Sequence, residues 1–388
     1  MKRTELMMLV LGLLLFTQVA QADWTPAKRL TWNAGDSEHP AIAVDLTGGL
    51  HVVWEDKTSG KGEIYYKRST DGGVTWTPNK RLTWDSRWPH PTGLAVDASG
   101  YLHLFWHTSD AAYSHIYYKK STDGGNSWTS SRRLTWAQDN EAPEMAVDSS
   151  GNLHLVCYSP DYYPWDISYR KSTDGGSTWT PSKKITYTFG EVSAFPVIAA
   201  DPSGNIHVLW EEHVWADDTR IYYKKSSDGG ATWSAIKKLS WVAGESFKPR
   251  IVLDSSGHLH VVYFNAPSIY EGLQYEVYYR KSTDAGSTWV AGKRLTWNSV
   301  PDEYPAIAVD PTDILHLVWE EEVAWIPELY YKSSTDGGDT WSISQNLTNT
   351  SLSCDRPRIA ADTSGNIHLV WYDNTPGNCE IYYMKYVK

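Results

Sequence analysis

Three sets of side chains in this sequence have the types and spacing to do chemistry on a ligand. Arg250 and Arg358 each directly follow a proline, Arg356 lies just ahead of Arg358, and Tyr304 stands at the same level of its own repeat. A guanidinium is a planar fork of donors, so this trio can take a carboxylate bidentately. The second set is acidic, Glu55, Glu144, Glu211 and Glu320, with His39, His90, His107 and His213 as nearby donors. Two of the carboxylates could be the acid and the nucleophile or base of a glycosidase, several could hold sugar hydroxyls, or the set could be a solvated rim. The third set is Trp88, Trp165, Trp215 and Trp325, whose faces could stack on sugar rings or cap a local core. No residue is assigned a catalytic role.

What must position these groups is a repeat. The stretch from Ser69 to Trp84 reads as a Ser-Thr-Asp-Gly-Gly turn followed by a short strand, and the turn recurs around Asp123, Asp174, Asp228, Asp284 and Asp336, 51 to 56 residues apart. The Asp carboxylate can accept backbone N–H groups within the turn, and glycine takes the positive φ that the turn requires. Each unit holds four strand-like runs, A to D, and the aspartates that end the A runs (Asp45, Asp97, Asp148, Asp201, Asp254, Asp310 and Asp362) number seven. A period near 50 residues with four short strands predicts an all-β, seven-bladed β-propeller of four-stranded antiparallel blades. The last unit lacks a D strand, and Trp24 to Trp32 nearly repeats Trp76 to Trp84, so the N-terminal strand is expected to complete the last blade and close the ring.

Antiparallel strands place the A-to-B and C-to-D turns at one end and the B-to-C and D-to-A loops at the other. The first end is uniform, as a scaffold requires. The second varies, and all three candidate sets fall there. Of 21 tryptophans only the four named above stand outside the repeat. The seven histidines His51, His103, His154, His207, His260, His316 and His368 open each B strand at one repeated position, which is a structural pattern and not a metal cluster. Arg250, Arg358 and Glu144 share one repeated position after the strand A proline, where other copies carry small residues, so their side chains are expected to project into the central channel and pair there.

The Ser/Thr-x-Asp-x-Gly-x-Thr-Trp turn resembles the Asp box, the bacterial neuraminidase repeat of sialidases and related secreted propellers. The resemblance covers the whole of 23–388 and implies the propeller fold. Its members include sialidases, other glycosidases, lectins and proteins with no known activity, so it leaves function to the loops. A sialidase would need arginines on the sugar carboxylate, a Tyr–Glu nucleophile pair and an Asp acid/base. Arg250, Arg356, Arg358 and Tyr304 are the positions available for this, and the Arg-Ile-Pro motif of sialidases is absent.

Composition narrows the partners. A net charge of −11 and no basic block argue against nucleic acid. Lys2 and Arg3, an apolar run from Leu6 to Phe16 and Ala20-Gln21-Ala22 read as a secretory signal peptide, residues 1–22, leaving 23–388 as one propeller domain that is secreted or periplasmic. No membrane insertion, cofactor or metal is expected, and a monomer is. Cys157 takes a B-strand place held by tryptophan in other copies and reads as a buried thiol, while Cys354 and Cys379 sit in loops of the last unit and are expected to form a disulfide. The leading reading is a secreted carbohydrate-binding propeller with its glycan site on the variable face. The alternatives are a sialidase-like glycoside hydrolase and a protein-interaction scaffold.

Overall fold

The computed structural model describes residues 23–84, 89–109, 114–136, 140–159, 164–187, 190–214, 218–241, 244–266, 274–350 and 354–388. Seven antiparallel sheets follow one another in chain order, each running A, B, C, D from the centre outwards. The first is Ser37–Val44, Leu50–Asp56, Glu63–Ser69 and Lys80–Arg81. The last is Cys354–Ala361, Ile367–Asp373 and Glu380–Val387, and its outer strand comes from the N-terminus as Asp23–Trp24 and Lys28–Arg29. Trp24 pairs with Tyr386 and Arg29 with Tyr382, so the expected closure forms. B strands are buried on both faces, and Trp54, Trp106, Trp210, Trp319 and Trp371 fill the space between blades with Cys157 at the equivalent place.

The Asp turn is tied as its sequence predicts. Asp71 accepts the Thr75 backbone N–H at 2.8 Å and the Ser69 hydroxyl at 2.8 Å, while the Ser69 oxygen accepts Gly73 N–H at 2.9 Å. Gly73 has φ +90°, and a Cβ there would lie 2.1 Å from the hydroxyl of Tyr383 in the neighbouring blade. Turn and neighbour are therefore built together.

The seven histidines are structural. His51 Nε2 bonds Asp45 at 3.0 Å, and its Nδ1 meets the Tyr66 hydroxyl at 2.8 Å. That hydroxyl also approaches the Gly124 carbonyl of the next blade's turn at 3.4 Å, and the next turn's Trp128 packs edge-on against the Tyr66 ring at 5.4 Å. The arrangement recurs with His103, His154, His260 and His368. At the seam Trp24 takes the corresponding place and meets Tyr331 at 5.3 Å, with Tyr386 against the same tyrosine ring at 5.7 Å.

The expected disulfide is not formed. Cys379 is a free thiol beside Asp36 and Glu38, pushed up to about 12 by burial and by those two carboxylates. The reason is topological: Cys354 opens strand A and pairs with Asp373 of strand B, which pairs in turn with Glu380, next to Cys379 on strand C. Two strand spacings, about 9–10 Å, exceed the roughly 7 Å that a disulfide spans between Cα atoms.

Two outcomes follow from this architecture. Deleting residues 23–32 should expose the strand Glu380–Val387 as an edge, and static light scattering of the variant should show aggregation where the parent stays dispersed. The second concerns acid. The six turn aspartates are held at about 2 by hydrogen bonds from a Thr or Ser hydroxyl and from backbone N–H groups. For the strand A aspartates burial acts upward, but hydrogen bonds from histidine and backbone leave them lowered too. Depressed carboxylates contribute stability above their unfolded values and lose it as pH falls through the folded ones. The melting temperature should therefore drop steeply between about pH 4 and pH 2, and a flat profile there would refute the role given to the turns.

Candidate functional site

Every inner strand begins with an irregularity that the chain uses to line the channel. Strand A slips register against strand B between Glu38 and Ala41, and likewise at the matching place in each other blade. In six blades the residue just before the strand A proline has positive φ: His39 (54°), Ala142 (43°), Phe195 (48°), Lys248 (50°), Tyr304 (46°) and Arg356 (54°). A non-glycine residue there costs about 1–2 kcal/mol, so the surroundings must impose it. Glu211 accepts Lys248 N–H at 2.9 Å, and Glu320 accepts Arg356 N–H at 2.5 Å, each from the B strand of the preceding blade. Elsewhere an aromatic stands at that B-strand place: Tyr158 against Phe195 (5.4 Å), Phe264 against Tyr304 (6.1 Å) and Tyr372 against His39 (6.1 Å). The bulge turns these side chains into a cavity of about 460 Å³, lined also by His90, His107, Glu144, Arg250 and Arg358.

The cavity has an acid–base arc and a cationic floor. Going round from the sixth blade to the second, Tyr304, Arg356, His39 and His90 are successive ring members. The Arg356 guanidinium lies 5.7 Å over the Tyr304 ring. His39 Nδ1 and His90 Nδ1 both reach Glu55 Oε2, at 3.2 and 3.0 Å. Burial acts to raise Glu55, but the two imidazoles overcome it and hold the carboxyl at about 2. Burial, aided by His90, pushes the adjacent His107 down to about 3, so it is a neutral ring. The donor atoms of His39, Glu55 and His90 lie within 4.8 Å of one another, a set that could hold a divalent transition ion.

Deeper in the channel, Arg250 meets Glu144 at 3.9 Å, the pairing expected from sequence. Among the described residues Arg358 has no carboxylate within ion-pair distance, and its Nη1 donates to the Pro357 carbonyl at 3.2 Å. Burial, with Arg250 beside it, brings Arg358 down to about 9 against the pull of Glu144. Lys248 is lowered by burial despite Glu211, and Glu144 is raised by burial despite Arg250 and Arg358. Among the described residues, four cations thus face one lining carboxylate.

The candidates separate accordingly. Glu144, Arg250, Tyr304, Arg356, Arg358 and His107 come together at the cavity. Glu55, Glu211 and Glu320 do not form a rim: they are buried behind it, where they position its members. Trp165 is half-buried and stacks on Tyr158 at 5.7 Å, so it caps a core. Trp325, 90% exposed with φ +70° at a hairpin tip, is available as a platform. Trp88 and Trp215 lie outside the described residues. Phe195 and Lys248 were not singled out from sequence. Their signal was the X-Pro pair near the start of all seven inner strands, read only on its far side.

The comparisons agree with this architecture. The model of the BNR repeat-like domain matches residues 63–246. A xyloglucanase from a Paenibacillus species is 24% identical over 323 residues, 73% of this chain and 30% of the relative, so the chain spans under a third of that protein. An ulvan lyase bound to -[GlcA(1-4)Rha3S]- superposes with a TM-score of 0.66 at 14% identity, covering 92% of this chain and 95% of the other. The NanB sialidase of Streptococcus pneumoniae does so at 0.51 and 13%, covering 92% and 70%. At these identities the solved structures attest the fold alone. The repeat match over 63–246, the fold neighbours and the seven blades together make the chain a β-propeller similar in fold to BNR-repeat proteins and sialidases.

The strain at the bulges is measurable. Ala142 has φ 43° and a small side chain, so Ala142→Gly removes the strain and little else. The variant should gain about 0.5–1 kcal/mol in denaturant unfolding, after allowing for the freer unfolded glycine. A loss of stability would show that the position is not strained.

Proposed function

We propose that the channel mouth binds an acidic saccharide by its carboxylate, Arg358, Arg250 and Arg356 gripping the anion and Lys248 adding charge. The observation that carries this is Arg358, deep among other cations with no carboxylate at ion-pair distance among the described residues. In a site of low dielectric an unmatched guanidinium favours an incoming anion. The comparisons support a carbohydrate-active reading, since the relatives include xyloglucanases and the ulvan lyase neighbour holds a uronate-containing chain. Export directed by residues 1–22 would bring the protein to polysaccharide outside the cytoplasm.

The test is calorimetric titration with uronate oligosaccharides and with their carboxyl-reduced counterparts. Arg250→Ala/Arg358→Ala should weaken binding of the acidic form about 10-fold or more while folding is retained, since a charge-assisted contact contributes about 1.5–3 kcal/mol. Equal affinity of parent and double variant would overturn the reading.

A second reading is elimination at the same bound uronate, favoured by the way Glu55 fixes His39 and His90. With Nδ1 of each committed to Glu55, Nε2 is the nitrogen left to take the proton α to the carboxylate. The electron pair forms the C4=C5 double bond, the C4–O bond breaks, and the leaving oxygen takes a proton from Tyr304, which burial keeps protonated. Hydrolysis by paired carboxylates has less support, because Glu144 is the one carboxylate lining the cavity among the described residues. An ultraviolet-absorbing unsaturated product, abolished in Tyr304→Phe, would establish elimination, and binding without product would exclude it.

A further inference from the structure

A second feature of the variable face lies at its outer rim. Trp32, Trp84, Trp136, Tyr187, Trp241 and Trp297 each follow the outermost strand of a different blade and are 64–72% exposed. Tryptophan is ordinarily largely buried, so one repeated position that exposes an aromatic six times requires a reason. The fold does not supply it. In the sixth blade the strand Gln345–Asn346 makes the same pairs to Tyr330 and Tyr331, and Thr348 accepts Leu329 N–H at 2.9 Å as Thr83 accepts Ile64 N–H at 2.9 Å, yet Asn349 stands in the aromatic's place. The blade forms equally well without the ring.

The platforms share one construction. The cation three residues earlier lies over the ring, as Arg29 (5.7 Å), Arg81 (5.7 Å), Lys238 (5.3 Å) and Arg294 (5.5 Å) do. Several of these cations are tied to a carboxylate of strand C: Arg29 to Glu380 at 2.6 Å, Arg81 to Glu63 at 2.7 Å and Lys184 to Asp166 at 2.5 Å. A lysine from the next blade approaches the same ring, Lys67 at 5.6 Å from Trp32 and Lys119 at 6.0 Å from Trp84. Trp32, Trp84, Tyr187, Trp241 and Trp297 are thus flat rings each braced by a cation.

We infer that this rim is a multivalent binding surface for a neutral β-linked polysaccharide, each aromatic stacking on the axial C–H face of one pyranose. The arrangement selects the occupant. The rings stand one to a blade, apart from each other, whereas a protein partner needs a contiguous patch of about 800 Å². A polymer that repeats is the ligand that can engage several such platforms, through effective concentration. The platform cations that are matched by strand C carboxylates make no demand for an anion, and a net charge of −11 works against an anionic bilayer. The inference stands apart from the channel-mouth reading.

Affinity electrophoresis of the exported chain through gels containing xyloglucan or hydroxyethyl cellulose tests it. The parent should be retarded by at least one polymer, Trp84→Ala should weaken retardation only about 2-fold, and Trp32→Ala/Trp84→Ala/Trp136→Ala more than about 10-fold. Asn349→Trp should strengthen it by adding a seventh platform. Arg250→Ala/Arg358→Ala should change nothing here, which separates this site from the channel. Circular dichroism melts identify a variant that has failed to fold, and Asn349→Trp remains informative in that event. A triple variant retarded like the parent, a parent retarded by neither polymer, or tryptophan-dependent binding to phosphatidylcholine vesicles in place of polymer would each overturn the proposal.

Discussion

The structure depends on one joint between blades. An imidazole at the start of each B strand is held by the aspartate that ends strand A, and it meets a strand C tyrosine whose hydroxyl and ring contact the turn of the next blade. Because the partner of each blade is its successor, the joints run round the ring, and the one between the sixth and seventh blades is made by the N-terminal strand. There the joint is altered: Lys388 takes Asp310 at 2.7 Å, His316 Nε2 is left 3.8 Å from that aspartate, and Trp24 supplies the aromatic contact to Tyr331. Closure is secured by packing and strand pairing where the polar relay stops.

A scaffold fixed at one end allows the other to hold strain. Six inner strands open with a non-glycine residue in the left-handed region, and five of these are held from the blade before, by a carboxylate on a backbone N–H or by an aromatic against the side chain. This gives a ring of interchangeable side chains on one backbone frame. The identities His, Ala, Phe, Lys, Tyr and Arg differ between blades while the frame does not, which is how a repeat fold makes an asymmetric site.

The charges in that ring are unevenly matched. Glu55 is shared by two imidazoles and sits low, whereas Glu320 is raised well above the usual range by burial and by Asp355. Cations concentrate on the fifth and seventh blades and the carboxylate that faces them is itself raised by burial. The channel therefore carries a directional field, despite a negative protein overall.

The sequence by itself determined the blade count, the strand order, the closure and the structural role of the seven histidines, because each rests on a period that every copy repeats. It also placed Glu144, Arg250 and Arg358 in the channel, since deviation from a repeated small residue is visible in one dimension. It misjudged Glu55, Glu211 and Glu320, whose burial depends on which side of a pleated strand faces the next blade, and it left Trp165 open between platform and cap, which the ring's stacking on Tyr158 decides for the cap. The Cys354–Cys379 bond failed for a similar reason: proximity in the last unit says nothing of an intervening strand. Only the tertiary structure decided that the residue before each strand A proline turns inward and that the aromatic after six of the outer strands stays in solvent. Backbone twist at a bulge and exposure at a rim arise from packing between blades, which no single copy of the repeat contains.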